Sequence, residues 1–139
     1  MLMISTDASL VDAALVHRWL STDAYWALNR PREVVERSIE SSVNVGAYDD
    51  GVQVGYARIV TDSTTFAWIC DVYVDPTRRG AGIGKALVAA VLAELEPLGL
   101  KRVMLATADA HALYAAHGFV PLPDASMIMV LEQPAPPVR

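Results

Sequence analysis

The chain contains 139 residues, a length typical of one domain with a single hydrophobic core. Hydrophobic residues make up 53% of the chain and charged residues 19%, which excludes intrinsically disordered, collagen-like and coiled-coil proteins. Eleven basic and sixteen acidic residues give a net charge of -5. This charge argues against a nucleic-acid partner, because nucleic-acid-binding proteins need a basic face.

The sequence also argues against disulfides, metal ions and membranes. Cys70 is the only cysteine, and the three histidines are scattered, so we expect neither a disulfide nor a metal site. The apolar run Ala86–Ala93 is far shorter than the roughly 20 residues of a membrane span. Residues Met1–Asp7 lack the basic and apolar segments of a secretory signal. We therefore expect a cytoplasmic protein.

Two helices are predicted in the first 41 residues. The segment Leu10–Leu20 is mostly apolar or helix-favouring, and Asp7 or Ser9 can cap it. Pro31 fits the first turn of a second helix that ends near Ser41 and keeps its apolar residues on one side.

The hydrophobic period then changes to two, which indicates β-structure. The segment Ser42–Thr61 alternates around the turn Asp49-Asp50-Gly51 and predicts a β-hairpin. The segment Thr65–Val74 is rich in β-branched and aromatic residues and predicts a buried strand, which Pro76 ends.

The second half of the chain predicts a helix between two strands. Apolar residues recur at helical spacing after Gly84, and Pro97 with Gly99 stops that helix. A strand follows at Lys101–Thr107, so the strand-helix-strand unit predicts a parallel pair.

The C-terminal part is predicted to contain short elements. They are a helix that Asp109 caps and that ends at His117, and closing strands near Phe119 and at Met127–Leu131. The order of all elements predicts a mixed α/β (α+β) fold, with a mostly antiparallel central sheet flanked by helices. We expect one domain over residues 1–133 and a mobile Pro-rich tail over residues 134–139.

The segment from Asp75 to Lys85 carries the strongest functional signal, because it joins a predicted strand to a helix and contains three alternating glycines. Glycines let backbone amides approach a ligand closely, and free amides at a helix N-terminus favour a phosphate. Arg78, Arg79 and Lys85 add three cations against one acid. The segment therefore predicts a binding site for an anionic ligand, with a ligand-free turn as the alternative.

Two other phosphate-binding loops fit this segment poorly. A mononucleotide P-loop needs a glycine where Arg79 stands and a hydroxyl where Ala86 stands, which disfavours an ATP-dependent enzyme. A dinucleotide-binding fingerprint needs the spacing G-x-G-x-x-G, whereas this chain has G-x-G-x-G.

The segment resembles the acetyl-CoA loop of the GNAT superfamily of N-acetyltransferases, whose signature is [QR]-x-x-G-x-[GA]. The matching residues are Arg79-Gly80-Ala81-Gly82-Ile83-Gly84. The resemblance extends over Asp71–Phe119 and includes Ala112-Leu113-Tyr114 and Gly118-Phe119. It implies a GNAT-like fold and transfer of the acetyl group of acetyl-CoA to an amine, without a metal.

The resemblance also assigns candidate cofactor residues. In the family, the strand before the loop supplies main-chain groups to the pantetheine arm, and the loop amides hold the pyrophosphate. Here the strand residues are Val72, Tyr73 and Val74, and the loop residues are Arg79, Gly80, Ala81, Gly82, Ile83, Gly84 and Lys85.

Two residues are candidates for proton transfer. By its place in the motif, Tyr114 resembles the general acid of the family, and a phenol of pKa near 10 can protonate a departing thiolate. The alternative for Tyr114 is packing within its helix. Asp71 is the candidate general base, with pairing to Arg58 on the neighbouring strand as its alternative.

Tyr25, Trp26 and Arg30 lie between the two N-terminal helices, where the superfamily often forms its acceptor pocket. The alternative is that Trp26 packs the helix pair against the sheet. We expect a small-molecule or peptide amine as acceptor, and the resemblance is compatible with a homodimer. A competing function is a catalytically silent acyl-CoA-binding or regulatory module, which Tyr114 disfavours.

Overall fold

The computed structural model describes residues 1–134, so the predicted tail beyond Pro134 lies outside the described residues. The elements are β1 Leu2–Ser5, α1 Ala13–Asp23, α2 Arg32–Glu40, β2 Val43–Asp49, β3 Val52–Thr61, β4 Phe66–Val74, α3 Ile83–Leu95, β5 Arg102–Leu105 and α4 His111–Ala115. Within residues 1–134, no helix has the length and apolar character that crossing a membrane requires.

The described residues form two compact units, Met1–Asp109 and the residues from Ala110 onward. The first unit contains a five-stranded sheet in the order β1-β2-β3-β4-β5. The first four strands are antiparallel neighbours, and β5 is parallel to β4. The predicted mixed, mostly antiparallel sheet with flanking helices is therefore confirmed. A single domain over residues 1–133 stays a prediction.

The turn between β2 and β3 explains the register of this hairpin. Asp50 and Gly51 at its centre have φ angles of 50° and 83°. A two-residue turn of this kind needs positive φ at both central residues, which Asp-Gly adopts readily. Asp49 consequently pairs with Val52, as the sequence predicts.

Gly55 on β3 allows α3 to pack closely against one face of the sheet. A Cβ atom added at Gly55 would lie 2.9 Å from Leu87 Cδ1 and 3.2 Å from Ile83 Cγ2. A side chain at this position would force Leu87 and Ile83 of α3 to shift. Gly55 therefore packs beside the first turns of α3, the helix that the glycine loop enters.

The other face of the sheet packs against the two N-terminal helices. Neighbouring strand residues point to opposite faces, so Tyr56 points away from α3. It belongs to a buried cluster that also contains Val16, Trp19, Leu20, Ala24, Ala27, Val35 and Tyr73. This cluster holds the connection between α1 and α2 beside β4.

The N-terminal region differs from the prediction in two respects. Helix α1 begins at Ala13 with Asp12 as its cap, whereas Asp7 caps a short 3₁₀ turn before it. Strand β1 was not expected, because its residues are exposed or only partly buried and show no alternation. It pairs antiparallel with the end of β2.

The closing strands predicted near Phe119 and at Met127–Leu131 are wrong for the described residues. Met127 ends a 3₁₀ turn, and residues 128–134 are not in a strand. Residues Met127–Leu131 are 51% to 93% exposed. The prediction was wrong because it took their apolar character as evidence of a buried strand. Helix α4 is also shorter than expected, and Ala110 rather than Asp109 stands at its N-terminus, without a side-chain cap.

Candidate active site

The glycine loop joins β4 to α3 through a short 3₁₀ turn. Asp75 follows the strand, and its carboxylate accepts a hydrogen bond of 2.9 Å from the Thr77 amide. Gly80 and Gly82 then have φ angles of 86° and 84°, which residues with a side chain rarely adopt. The backbone path into α3 therefore requires glycine at positions 80 and 82.

The N-terminus of α3 leaves backbone donors available to a ligand. The amide of Ala86 bonds to the Gly82 carbonyl at 3.1 Å, so the four preceding amides have no partner within the helix. Gly82 provides no side-chain cap, and a Cβ atom added at Gly80 or Gly82 would meet nothing within 4 Å. Open donors at the positive end of a helix form an anion site.

Two of the three cations near the loop are paired with carboxylates. Arg78 bonds to Asp49 at 2.6 Å, and Arg79 bonds to Asp23 at 3.2 Å. Lys85 is exposed and forms no ion pair with any of residues 1–134. The positive charge available to a ligand is therefore smaller than the sequence suggests, and the amides carry more of the attraction.

Arg79 is held in a small network that the sequence did not indicate. Its guanidinium lies 5.1 Å from the centre of the Tyr73 ring and bonds to the Val74 carbonyl at 3.2 Å. The Tyr73 hydroxyl donates to Asp23 at 2.5 Å. Burial, together with this carboxylate, raises the pKa of Tyr73 to about 12. Tyr73 therefore remains a neutral donor, and its side chain is structural.

A β-bulge interrupts β4 just before the loop. Tyr73 pairs with Tyr56 and Cys70 pairs with Arg58, so Asp71 and Val72 together oppose one residue of β3. Asp71 has a φ angle of 52°, an uncommon value for a residue with a side chain. A bulge leaves backbone groups outside the ladder and redirects a side chain, which is frequent beside active sites.

The bulge places the Asp71 carboxylate among three donors. The indole nitrogen of Trp26 bonds to Oδ1 at 2.8 Å. Arg30 Nη1 and Arg58 Nε both bond to Oδ2 at 2.9 Å. Asp71, the predicted base, is buried and bonds to two of the predicted acceptor residues, Trp26 and Arg30.

The surroundings of Asp71 make it a weak base. Burial raises the pKa of its carboxyl, but the guanidiniums of Arg30 and Arg58 and the Trp26 hydrogen bond outweigh burial, so the pKa lies below its usual range. Both carboxylate oxygens already accept hydrogen bonds. The geometry thus favours the alternative reading, in which Asp71 pairs with Arg58.

Tyr25 and Trp26 form an aromatic pair beside this carboxylate. Their rings meet edge to face with centres 4.9 Å apart. The Tyr25 hydroxyl accepts a hydrogen bond of 2.8 Å from the Ala108 amide, after β5. Trp26 is 41% exposed and lies outside the buried helix-sheet cluster, unlike its neighbours Ala24 and Ala27. The pair therefore connects the bulge to the segment that follows β5.

From the sequence, Arg58 was expected only as a partner of Asp71 and not as a site residue. It is a lone charge in the otherwise uncharged strand β3, which is the signal that could have identified it. Besides Asp71, it donates to the Ser42 hydroxyl at 3.0 Å. Arg30 pairs with Asp71 and not with nearby Glu33, which instead pairs with Arg37.

Tyr114 lies in the second unit, on α4, and its side chain is buried. Its ring meets that of Phe119 edge to face at 5.9 Å, and its carbonyl accepts from the Phe119 amide at 3.2 Å. These contacts explain the spacing of Tyr114 and the Gly-Phe pair. The general-acid role of Tyr114 stays a prediction.

Comparison with known proteins agrees with this fold and loop. Residues 13–119 match the family described as "Acetyltransferase (GNAT) family". A GNAT-family protein from Xanthomonas campestris pv. campestris, assigned as an acetyltransferase, is 45% identical with a TM-score of 0.91. That match covers 96% of this chain and 94% of the Xanthomonas chain.

Two further proteins are similar over most of their length. A Gibberella zeae protein assigned as an acetyltransferase is 29% identical over 81% of this chain and 75% of its own. A Mycobacterium tuberculosis protein solved in complex with CoA is 25% identical with a TM-score of 0.71, over 86% of this chain and 72% of that one. The chain belongs to the GNAT family of acetyltransferases, and its family and fold make it an acetyl-CoA-dependent N-acetyltransferase.

Proposed function

We propose that this chain transfers the acetyl group of acetyl-CoA directly to the amine of a small molecule or peptide that binds beside Asp71. The observation that carries the proposal is the placement of the bulge and the glycine loop on consecutive segments. Asp71 lies in the bulge near the end of β4, and the loop that follows this strand leads to the open amides at the start of α3. One extended ligand along the end of β4 can therefore reach both.

The residues along this path fit acetyl-CoA. The amides from Gly82 to Lys85 and the ammonium of Lys85 suit a pyrophosphate, and nothing within 4 Å of an added Cβ at Gly80 or Gly82 blocks it. Main-chain groups of Val72 and Val74 suit the amides of the pantetheine arm. The side chain of Ile83 is buried in the core, so only its amide can take part. Bound acetyl-CoA supplies an activated acyl group.

The chain's own residues then have distinct tasks. Tyr114 donates a proton to the departing thiolate, a role supported by its motif and by the match of a phenol to a thiol in acidity. Asp71, the predicted base, has the role of holding Trp26 and Arg30, because a carboxylate with a lowered pKa accepts a proton from an ammonium poorly. The acceptor therefore reacts as its free amine: the N–C bond forms, the C–S bond breaks, and the proton lost from nitrogen passes to water. Tyr25, Trp26 and Arg30 border the acceptor.

The cellular setting is proposed from composition. A single cysteine, which cannot form a disulfide within the chain, fits the reducing conditions of the cytoplasm. Burial raises the pKa of the Cys70 thiol to about 11, so Cys70 is an unreactive thiol rather than a nucleophile. The homodimer stays a prediction.

The test is an assay of CoA release from acetyl-CoA with a panel of amines, with mass spectrometry of the products. The panel contains amino acids, arylalkylamines, polyamines and peptides with free N-termini or lysines. The Gly82→Asp variant, which places a carboxylate against the proposed pyrophosphate site, is the control. Release that requires an amine and is absent in Gly82→Asp supports the proposal. Release that is unaffected by this variant contradicts the site.

A further inference from the structure

The cluster around Asp71 carries an excess of positive charge. Two guanidiniums, of Arg30 and Arg58, bond to the same carboxylate oxygen, so they lie side by side. Their side chains are only 21% and 16% exposed, and that of Asp71 is 2% exposed. Among residues 1–134, no other carboxylate pairs with either arginine. The cluster therefore has a net charge of +1 in a site that water reaches poorly.

The two arginines also have unused hydrogen-bond donors. A guanidinium has five N–H groups in a planar fork. Arg30 uses one of them on Asp71, and Arg58 uses one on Asp71 and one on Ser42. Pairing stabilises a partly buried cation, and the planar fork matches a carboxylate. The N–H groups that Arg30 and Arg58 do not use on residues 1–134 therefore suit an anion with two acceptor oxygens.

We propose that the acceptor is an amine that also carries a carboxylate, as an amino acid does, and that Arg30 and Arg58 bind this carboxylate. The inference rests on the proposed function, because it treats the region beside Asp71 as the acceptor site. Asp71 then fixes the orientation of both guanidiniums, and Arg58 is a residue that determines acceptor specificity. The exposed edges of Tyr25 and Trp26 border the remainder of the acceptor.

Both arginines contact Asp71, which lies beside the proposed path of the pantetheine arm. Asp71 stands in the bulge of β4, and the pantetheine arm is proposed to run along the same strand immediately after it. A carboxylate bound at Arg58 therefore lies close to the reacting end of that arm. Binding of the carboxylate would hold the amine of the same molecule near the thioester, which favours transfer.

The first test compares acceptors that differ only in the carboxylate. The pairs are tryptophan with tryptamine, phenylalanine with phenethylamine, and histidine with histamine, and the measurement is kcat/KM at saturating acetyl-CoA. A charge-assisted pair with arginine changes affinity by about 10- to 100-fold. We expect the acid-bearing member to be preferred by at least about tenfold in the pairs that are acetylated. Equal or higher kcat/KM for the decarboxylated members would overturn the inference.

The second test assigns the preference to the arginines. Arg58→Gln and Arg30→Gln each remove a positive charge and keep a hydrogen-bond donor, and both should reduce the preference about tenfold or more. Arg32→Gln is the matched control, because Arg32 pairs with Glu36 on the surface of α2. It should retain the preference of the wild type. A preference that survives in both site variants, each shown by circular dichroism to be folded at the assay temperature, contradicts the assignment.

A binding measurement separates this inference from the proposed catalysis. Calorimetry with CoA present would compare N-acetylphenylalanine with N-acetylphenethylamine, neither of which has a free amine to react. Binding of N-acetylphenylalanine that is weaker in Arg58→Gln or Arg30→Gln than in the wild type supports the carboxylate site. If this binding is seen but no amine is acetylated, only the proposed function fails. Equal binding of the two compounds overturns the carboxylate site, whatever the outcome of the transfer assay.

Discussion

The indole N–H of Trp26 donates a hydrogen bond of 2.8 Å to the buried carboxylate of Asp71, 45 residues away in the sequence. This bond connects the segment between α1 and α2 to the bulge of β4, where the reaction is proposed to occur. Arg30 bonds to the same carboxylate, so Asp71 holds two side chains of the connecting segment.

Asp71→Asn should destabilise the protein and should make its free energy of unfolding depend less on pH in the acid range. Removing one partner of a buried ion pair costs about 3 kcal/mol, because the remaining charges stay buried. The folded-state pKa of Asp71 lies below its unfolded value, so its stabilising contribution is present above the unfolded pKa and is lost as pH falls through the folded pKa. The difference in free energy of unfolding between the wild type and Asp71→Asn should therefore shrink as pH falls from about 5 to about 2. Urea unfolding across this range measures it, and a constant difference would contradict the ion-pair role.

Trp26→Ala should weaken acceptor binding without changing acetyl-CoA affinity. The indole borders the proposed acceptor and bonds to Asp71, and its hydrogen bond and ring contact within residues 1–134 involve Asp71 and Tyr25 rather than the glycine loop. We expect the KM for the acceptor to rise about tenfold, as for loss of a hydrogen bond to a charged group. Steady-state kinetics and calorimetry with acetyl-CoA check both parts. A lower melting temperature with an unaltered KM would assign Trp26 to the fold alone.

Gly82→Asp should abolish binding of acetyl-CoA. The variant adds a carboxylate beside the open amides of α3 and strains a backbone with a φ angle of 84°. Acetyl-CoA at 100 times its dissociation constant should stabilise the wild type by about 2.7 kcal/mol, measured as a shift in thermal unfolding.

Gly99→Asp is the matched control for backbone strain. Gly99 has a φ angle of 62° and open space around an added Cβ, but it lies beyond the other end of α3. This variant should lose stability yet keep the acetyl-CoA shift. A shift that persists in folded Gly82→Asp would contradict the loop assignment.

Tyr114→Phe should lower turnover by about a hundredfold, while acetyl-CoA affinity stays near that of the wild type, because only a proton donor is removed. Single-turnover acetylation and calorimetry measure these two quantities. Turnover equal to that of the wild type would leave Tyr114 with a packing role only.

Tyr48→Phe controls for the loss of a buried hydroxyl. The Tyr48 hydroxyl is buried and has no hydrogen-bond partner among residues 1–134. Its removal should leave turnover unchanged and should raise stability by about 1 kcal/mol, since an unpaired buried hydroxyl is unfavourable. A large loss of turnover in Tyr48→Phe would show that Tyr114→Phe does not report on proton transfer.

The sequence predicts the features that local chemistry determines. Alternation and the Asp-Gly turn predict the β2-β3 hairpin, and the spaced glycines predict the loop that enters α3. The bulge at Asp71 could not be predicted, because it depends on how β4 pairs with β3 and not on the residue itself. The pairing of Arg78 and Arg79 with Asp49 and Asp23 likewise depends on contacts between distant segments.

Acetyl transfer at this site is tested most directly by incubating the wild-type protein with acetyl-CoA and the amine of the panel that gives the fastest CoA release. The measurement follows free CoA thiol and the mass of the amine together. We expect thiol release in equal amount to a product one acetyl group heavier, and neither in the Gly82→Asp variant. Thiol release without an acetylated product, or an equal yield of product in Gly82→Asp, would contradict direct transfer at the glycine loop.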